Sequence, residues 1–171
     1  MPTGDYDMTL IDLRESYLVT GHGVESSTWD REWRAYLVDN LAVLVGQLGQ
    51  VGIDQIFVDG SFVEDKDHPH DIDGYFECDV RYFATGQLER DLNALDAYHV
   101  WTWNPASRLP DPNFAKRQLP MWHRYHVELY PHFPGVPCGI RDQFGNDLEF
   151  PSAFRLSRRD YRPNGIIRIV K

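Results

Sequence analysis

Cysteine is nearly absent. The 171 residues hold two, Cys78 and Cys138, far apart and outside any C-x-x-C spacing. Neither a disulfide framework nor a cysteine zinc site organises this chain, and a reducing cytoplasm is the expected setting. Long apolar runs are missing as well. None approaches the ~20 residues that a membrane-crossing helix needs, so no membrane partner is expected. The opening MPTGDYDMTLIDLRESY is acidic and lacks the basic-then-apolar order of a signal peptide. No internal repeat and no low-complexity linker divides the sequence.

What is present describes a globular chain. Hydrophobic residues make up 42% and aromatics 13%, enough for a core, and the length favours one domain over residues 1–171. The net charge of −9 conceals an asymmetry: residues 1–100 carry 6 Lys/Arg and 20 Asp/Glu, residues 101–171 carry 11 and 6. An acidic half suits a cation and a basic half suits phosphate, although uneven solvated faces give the same counts.

Periodicity supplies the elements. Residues 1–25 read as a lead-in. Residues 26–52 read as a helix, with Ser27 and Asp30 as a capping box and a stripe of Trp29, Trp33, Leu37, Leu41, Leu44 and Leu48. That spacing describes a core face rather than a cofactor box. DQIFVDGSF and DIDGYFECDV read as strands, ATGQLERDLNALDAY as a helix capped by Thr85, and HVWTWN as a strand. The proline-rich PASRLPDPNFAKRQLP reads as loop, HRYHVELYPHF as a strand stopped by Pro131, and IIRIV as a last short strand. The order predicts an α/β (α+β) fold, a small mixed β-sheet with helices packed mainly on one face.

One stretch carries chemistry: IFVDGSFVEDKDHPHDIDGYF, residues 56–76. Asp71 and Asp73 sit at i and i+2 of a strand, so both carboxylates share a face, ~6.6 Å apart at Cα. Like charges so placed call for a cation between them, and hard oxygen ligands suit Mg2+ or Mn2+ completed by substrate phosphate. Gly60 and Ser61 end the preceding strand, where a glycine lets backbone N–H groups approach an anion and the serine adds a hydroxyl donor. Nine residues, 62–70, separate the two parts, enough for the chain to return and pair. The bland alternative is a hairpin with solvated aspartates.

An apolar–Gly–Ser turn followed after this gap by Asp–Ile–Asp resembles the signature of the polymerase-beta-like nucleotidyltransferase superfamily. The wording GSFVEDKDHPHDID after a long helix is similar to a group of small, minimal bacterial and phage members. The resemblance spans residues 27–76. It implies a minimal nucleotidyltransferase fold in which Gly60 and Ser61 contact a nucleoside triphosphate and Asp71 and Asp73 hold divalent metal. A third carboxylate is usual on a later strand, and Glu128 in YHVELY is the candidate. The activity implied is transfer of a nucleotidyl group from an NTP to an acceptor hydroxyl, in a toxin of a toxin–antitoxin or phage-defence system acting on tRNA. The partners implied are then RNA or a cognate antitoxin. The alternatives are small-molecule adenylylation and a degenerate binding or regulatory protein. Gly74 departs from the pattern, which usually has an apolar residue there, and reads as a bend in the strand.

Neighbouring residues carry weaker signals. Lys66, in the loop, is within reach of a phosphate or simply solvated. His68 and His70 bracket Pro69 without the spacing that completes a zinc tetrahedron. His126 shares a face with Glu128 by strand parity and reads as a base or as a packed histidine. Arg155, Arg158, Arg159 and Arg162 form either a phosphate- or RNA-binding cluster or a solvated basic face.

Overall fold

Four residues after the start, DYDM forms a strand, β1 (Asp5–Met8), where the sequence suggests only a lead-in. The structure, a computed structural model, describes residue 2 and residues 4–23, 26–64, 66–155 and 164–171. The alternation in DYDM is too short to register as a pattern, yet it is genuine. Asp7 pairs with Arg168 (2.6 Å) and Asp5 with Arg155. Thr9 then opens α1 (Leu10–Glu15) with a true capping box, its hydroxyl accepting from the Asp12 N–H while Asp12 accepts from Thr9. A single turn, α2 (Tyr17–Thr20), ends at Gly21 in the left-handed region, φ +67°.

The long helix α3 spans Arg31–Gln50. Its cap is Asp30, whose carboxylate accepts from the Trp33 N–H (2.9 Å), and not a Ser27–Asp30 box. The hydroxyls of Ser26 and Thr28 are directed elsewhere, to the Asp67 carboxylate. Leu37, Leu41, Leu44 and Leu48 are fully buried, each contributing about 2 kcal/mol of apolar transfer.

β2 (Ile56–Asp59) runs into a 3-10 turn, Gly60–Phe62, and the chain returns as β3 (Ile72–Glu77). Two helices follow, α4 (Val80–Ala84) and α5 (Gln87–Leu95). The residue preceding α5 is Gly86, not Thr85. Residues 99–104, expected as a strand, run without regular structure, and the indole N–H of Trp103 donates to the Leu129 carbonyl (2.8 Å). The proline-rich segment is not simply loop. It folds as a hairpin, β4 (Leu109–Asp111) and β5 (Phe114–Gln118), around Pro112-Asn113. After α6 (Pro120–Tyr125), β6 (Val127–His132) continues through Pro131. Pro131 does not stop this strand because β6 is at the sheet edge, where a missing N–H costs no ladder bond. A two-residue hairpin, β7 (Ile140–Arg141) and β8 (Asp147–Leu148), and α7 (Phe150–Phe154) precede β9 (Ile166–Ile169).

Among the described residues, the main sheet has five strands in the order β1-β9-β2-β3-β6. β1 is parallel to β9 and β3 to β6, while β2 is antiparallel to both its neighbours, so the sheet is mixed. Strand parity gives it two different faces. Ile56, Val58, Ile72, Phe76, Val127, Leu129, Ile167 and Ile169 meet the helices in one core. The opposite face carries Asp59, Asp73 and Glu128 in one row and Tyr75 and Tyr130 in the next. Helices therefore pack mainly on one face, with α7 on the other, where Phe150 stacks against Tyr75 and Tyr130. No helix among the described residues is long and apolar enough to cross a membrane.

Gly74 is explained by space, not by a bend. A β-carbon there would lie 2.3 Å from the Phe57 carbonyl oxygen and 2.9 Å from Leu129 Cδ2.

Asp96 closes the helix layer. It is 1% exposed and accepts from Gln47 Nε2 (2.9 Å), the Tyr125 hydroxyl (2.8 Å) and the Tyr98 N–H (2.8 Å). Burial alone would push this carboxyl up, but those hydrogen bonds outweigh it and hold it below the usual range. A depressed folded-state pKa contributes stability that is present above the unfolded value near ~3.9 and lost as pH falls through the folded one. In urea melts at pH 7, Asp96→Asn is expected to cost about 1–3 kcal/mol. Between pH 5 and pH 3 it should show a shallower loss of stability than the native chain. An equal slope for both proteins would count against this role.

Candidate active site

β2 and β3 are locked in register at Asp59↔Asp73, and β3 and β6 at Asp73↔Glu128. Directly paired residues share a face, so Glu128 stands beside Asp73, on the side of the sheet the spacing of Asp71 and Asp73 requires. Asp59, which sequence reasoning passed over, completes the row. It is fully buried and does not line the pocket above the others.

That pocket, about 820 Å3, is lined at one place by Gly60, Ser61, Asp71, Asp73 and Glu128. Gly60 adopts φ +70°, and a β-carbon on it would lie 2.7 Å from Asp73 Oδ2. The turn and the carboxylate are thus in contact, an approach that only glycine permits. Gly60→Ala should combine about 1–2 kcal/mol of left-handed strain with displacement of the Asp73 carboxylate. We expect it to depress any Mg2+- and NTP-dependent activity at least tenfold while shifting the melting temperature by only a few degrees. Full activity would refute the contact's importance.

The turn is held from beneath. Arg34 is completely buried, with its guanidinium donating to the carbonyls of Leu18 (2.8 Å), Phe62 (2.9 Å) and Lys66. It also lies 3.9 Å over the Trp29 ring. The loop that follows is strapped to the start of α3. His68 Nδ1 meets Asp30 Oδ2 (2.9 Å) and the Trp33 indole donates to the Pro69 carbonyl. His68 also stacks on Trp33, and His70 packs edge-on against Phe114.

Each carboxylate has a distinct setting. Asp71 Oδ2 accepts from the Trp122 indole (2.8 Å). Glu128 accepts from the Leu119 N–H (3.0 Å) and the Tyr130 hydroxyl, with Arg108 Nη1 3.7 Å away. Arg108 also donates to the Tyr130 hydroxyl (2.9 Å). Burial and the nearby Glu128 charge push the Tyr130 hydroxyl up, so it remains a donor.

Among the described residues, the cations on the pocket wall are Arg108, Lys116 and Arg117. Lys66 is not among its lining residues. Sequence reasoning missed these cations because the prolines of the segment concealed a hairpin. Their signal was the basic excess of residues 101–171, of which these three line one cavity with Asp71 and Asp73. Arg155 does not belong to this set, since it pairs with Asp5 and donates to the Gly4 carbonyl. Arg158, Arg159 and Arg162 lie outside the described residues. His126 is a packed histidine rather than a member of the site. It caps α6 at φ +51°, before strand parity begins, between Trp33 (5.0 Å) and Trp122 (4.9 Å), and burial holds its pKa down.

The donor set fits a hard divalent cation in one form. Among the described residues no three His, Cys, Asp or Glu side chains form a group that could hold a metal. Asp71, the residue before β3, and Asp73 line one pocket, and two carboxylates are what Mg2+ accepts when phosphate and water complete its shell. Glu128, tied to three partners, is positioned beside that pair.

Comparison with curated proteins and with solved structures gives no match. A family does match, over residues 1–170: the chain belongs to the family of unknown function DUF6932.

Proposed function

We propose that this chain is a divalent-metal-dependent nucleotidyltransferase. One observation carries the reading: the Gly60–Ser61 turn touches the Asp73 carboxylate in a pocket that also holds Asp71, Glu128 and three cations. In the reaction, an acceptor hydroxyl oxygen forms a bond to the α-phosphorus of an NTP. The bond from that phosphorus to the α,β-bridging oxygen breaks, pyrophosphate leaves, and the hydroxyl proton passes to a carboxylate or to water. A divalent cation bound by Asp71 and Asp73 would neutralise charge on the reacting phosphate. The protein's own groups position and screen. Gly60 and Ser61 offer N–H and hydroxyl donors to the phosphate tail, and Arg108, Lys116 and Arg117 offset its charge. Glu128 is held beside Asp73 by Leu119 and Tyr130.

A second reading has one observation in its favour. Glu128 is already committed to Leu119, Tyr130 and Arg108, which suits a domain that binds nucleotide without turning it over. Melting curves with Mg2+ and each NTP, followed by α-labelled NTP offered to total tRNA, to protein and to small hydroxyl acceptors, separate the two. Metal- and NTP-dependent stabilisation with label transfer supports the enzyme, and stabilisation without transfer supports the binding protein. No stabilisation and no transfer would remove both.

A further inference from the structure

The pocket has two chemically different ends, and the register of the sheet orders them. β2 runs antiparallel to β3 and leaves the row Asp59–Asp73–Glu128 toward Asp71, so Gly60 and Ser61 lie at that end. In the other direction along β3 and β6, one step of two residues (~6.6 Å) leads to Tyr75 and Tyr130, which are paired with each other. Phe150 lies over both, its ring centroid 5.8 Å from Tyr75 and 5.9 Å from Tyr130, nearly parallel to each. Phe150 lines the pocket with Ala153 of α7 and with Cys138 and Ile140 of the β7–β8 hairpin. The carboxylates and phosphate donors thus meet an aromatic and aliphatic wall on the far side of the row.

Resting on the nucleotidyltransferase reading, we propose that this wall is the nucleobase subsite: the base lies against Phe150, Ile140 and Cys138, and the triphosphate tail points toward Gly60 and Ser61. A flat heteroaromatic ring is matched by an apolar, aromatic lining, and Arg108, a cation of the same pocket, is engaged by the Tyr130 hydroxyl and the Glu128 carboxylate. The direction also follows from connectivity. With the α-phosphate at Asp71 and Asp73 and the β- and γ-phosphates at the turn, the ribose and base can extend only away from the turn.

Cys138 makes this measurable, because the chain's other thiol is disfavoured. Burial pushes the Cys78 thiol up to about 11, leaving it little thiolate at pH 8. Iodoacetamide labelling of Cys138, mapped by peptide mass, is followed in Mg2+ alone, Mg2+ with ATP or CTP, and Mg2+ with inorganic tripolyphosphate. The expected result is at least fivefold slower labelling with the nucleotides and an unchanged rate with tripolyphosphate. Ile140→Trp, which fills the wall, should abolish the melting shift caused by nucleotides and retain the one caused by tripolyphosphate.

Equal protection by tripolyphosphate would overturn the assignment, since it would place phosphates at the wall. Nucleotide stabilisation without protection of Cys138 would overturn it too, while leaving the nucleotidyltransferase reading standing. If nucleotides neither stabilise the protein nor protect the thiol, both fall.

Discussion

Asp73→Asn and Asp71→Asn should each reduce nucleotidyl transfer by about 10²–10³-fold or more, the scale seen when one preorganised electrostatic group is removed from a reacting centre. They should do so without unfolding the chain. Asn is isosteric with Asp, and its amide oxygen can still accept from the Trp122 indole at position 71. At position 73 the smaller charge relieves crowding against the buried Asp59 and the neighbouring Glu128. Both variants should therefore melt within a few degrees of the native chain, or above it, and lose the stabilisation that Mg2+ with NTP confers. Activity within tenfold of native in either variant would sink the assignment of the two aspartates.

Arg34→Met should be the most damaging substitution outside the site. Methionine fills part of the volume but donates nothing, so the carbonyls of Leu18, Phe62 and Lys66 lose the guanidinium together. Leaving a buried acceptor without its donor costs about 1–3 kcal/mol, so three carbonyls together lose about 3–5 kcal/mol. For a domain of this size that is roughly 10 °C in melting temperature. Arg34→Lys keeps the charge but presents a point donor in place of a planar fork and should fall between. The same substitution frees the Phe62 carbonyl, so the surviving folded protein should bind Mg2+–NTP more weakly. A melting temperature within ~2 °C of native would show that the carbonyls find other partners.

The sequence and the structure agree where a side chain's role depends on its near neighbours. The stripe from Trp33 to Leu48 builds α3, DIDGYFE supplies a strand that puts Asp73 on the face away from the core, and IIRI is a strand. They part where the outcome depends on a distant partner. DYDM is a strand because β9 lies beside it. Asp59 joins the carboxylate row through an antiparallel register that no local pattern encodes. Asp30 rather than Ser27 caps α3, and the segment before it is tied to Asp67, some forty residues on, through the hydroxyls of Ser26 and Thr28. Arg108, Lys116 and Arg117 escaped notice because proline density signals loop, and the hairpin forms in spite of it.

The position of β9 has a consequence for synthesis. Among the described residues it is the last strand in chain order, yet it sits between β1 and β2. A ribosome releases the β2–β3 hairpin, with its turn and carboxylates, long before it releases residues 166–169. Throughout that interval β2 has an open, apolar edge, and β1 has no neighbour. The nascent chain can form its acidic hairpin and the long helix from local contacts. The sheet itself closes only when β9 pairs with β2 on one side and β1 on the other, joining the earliest part of the described chain to the latest.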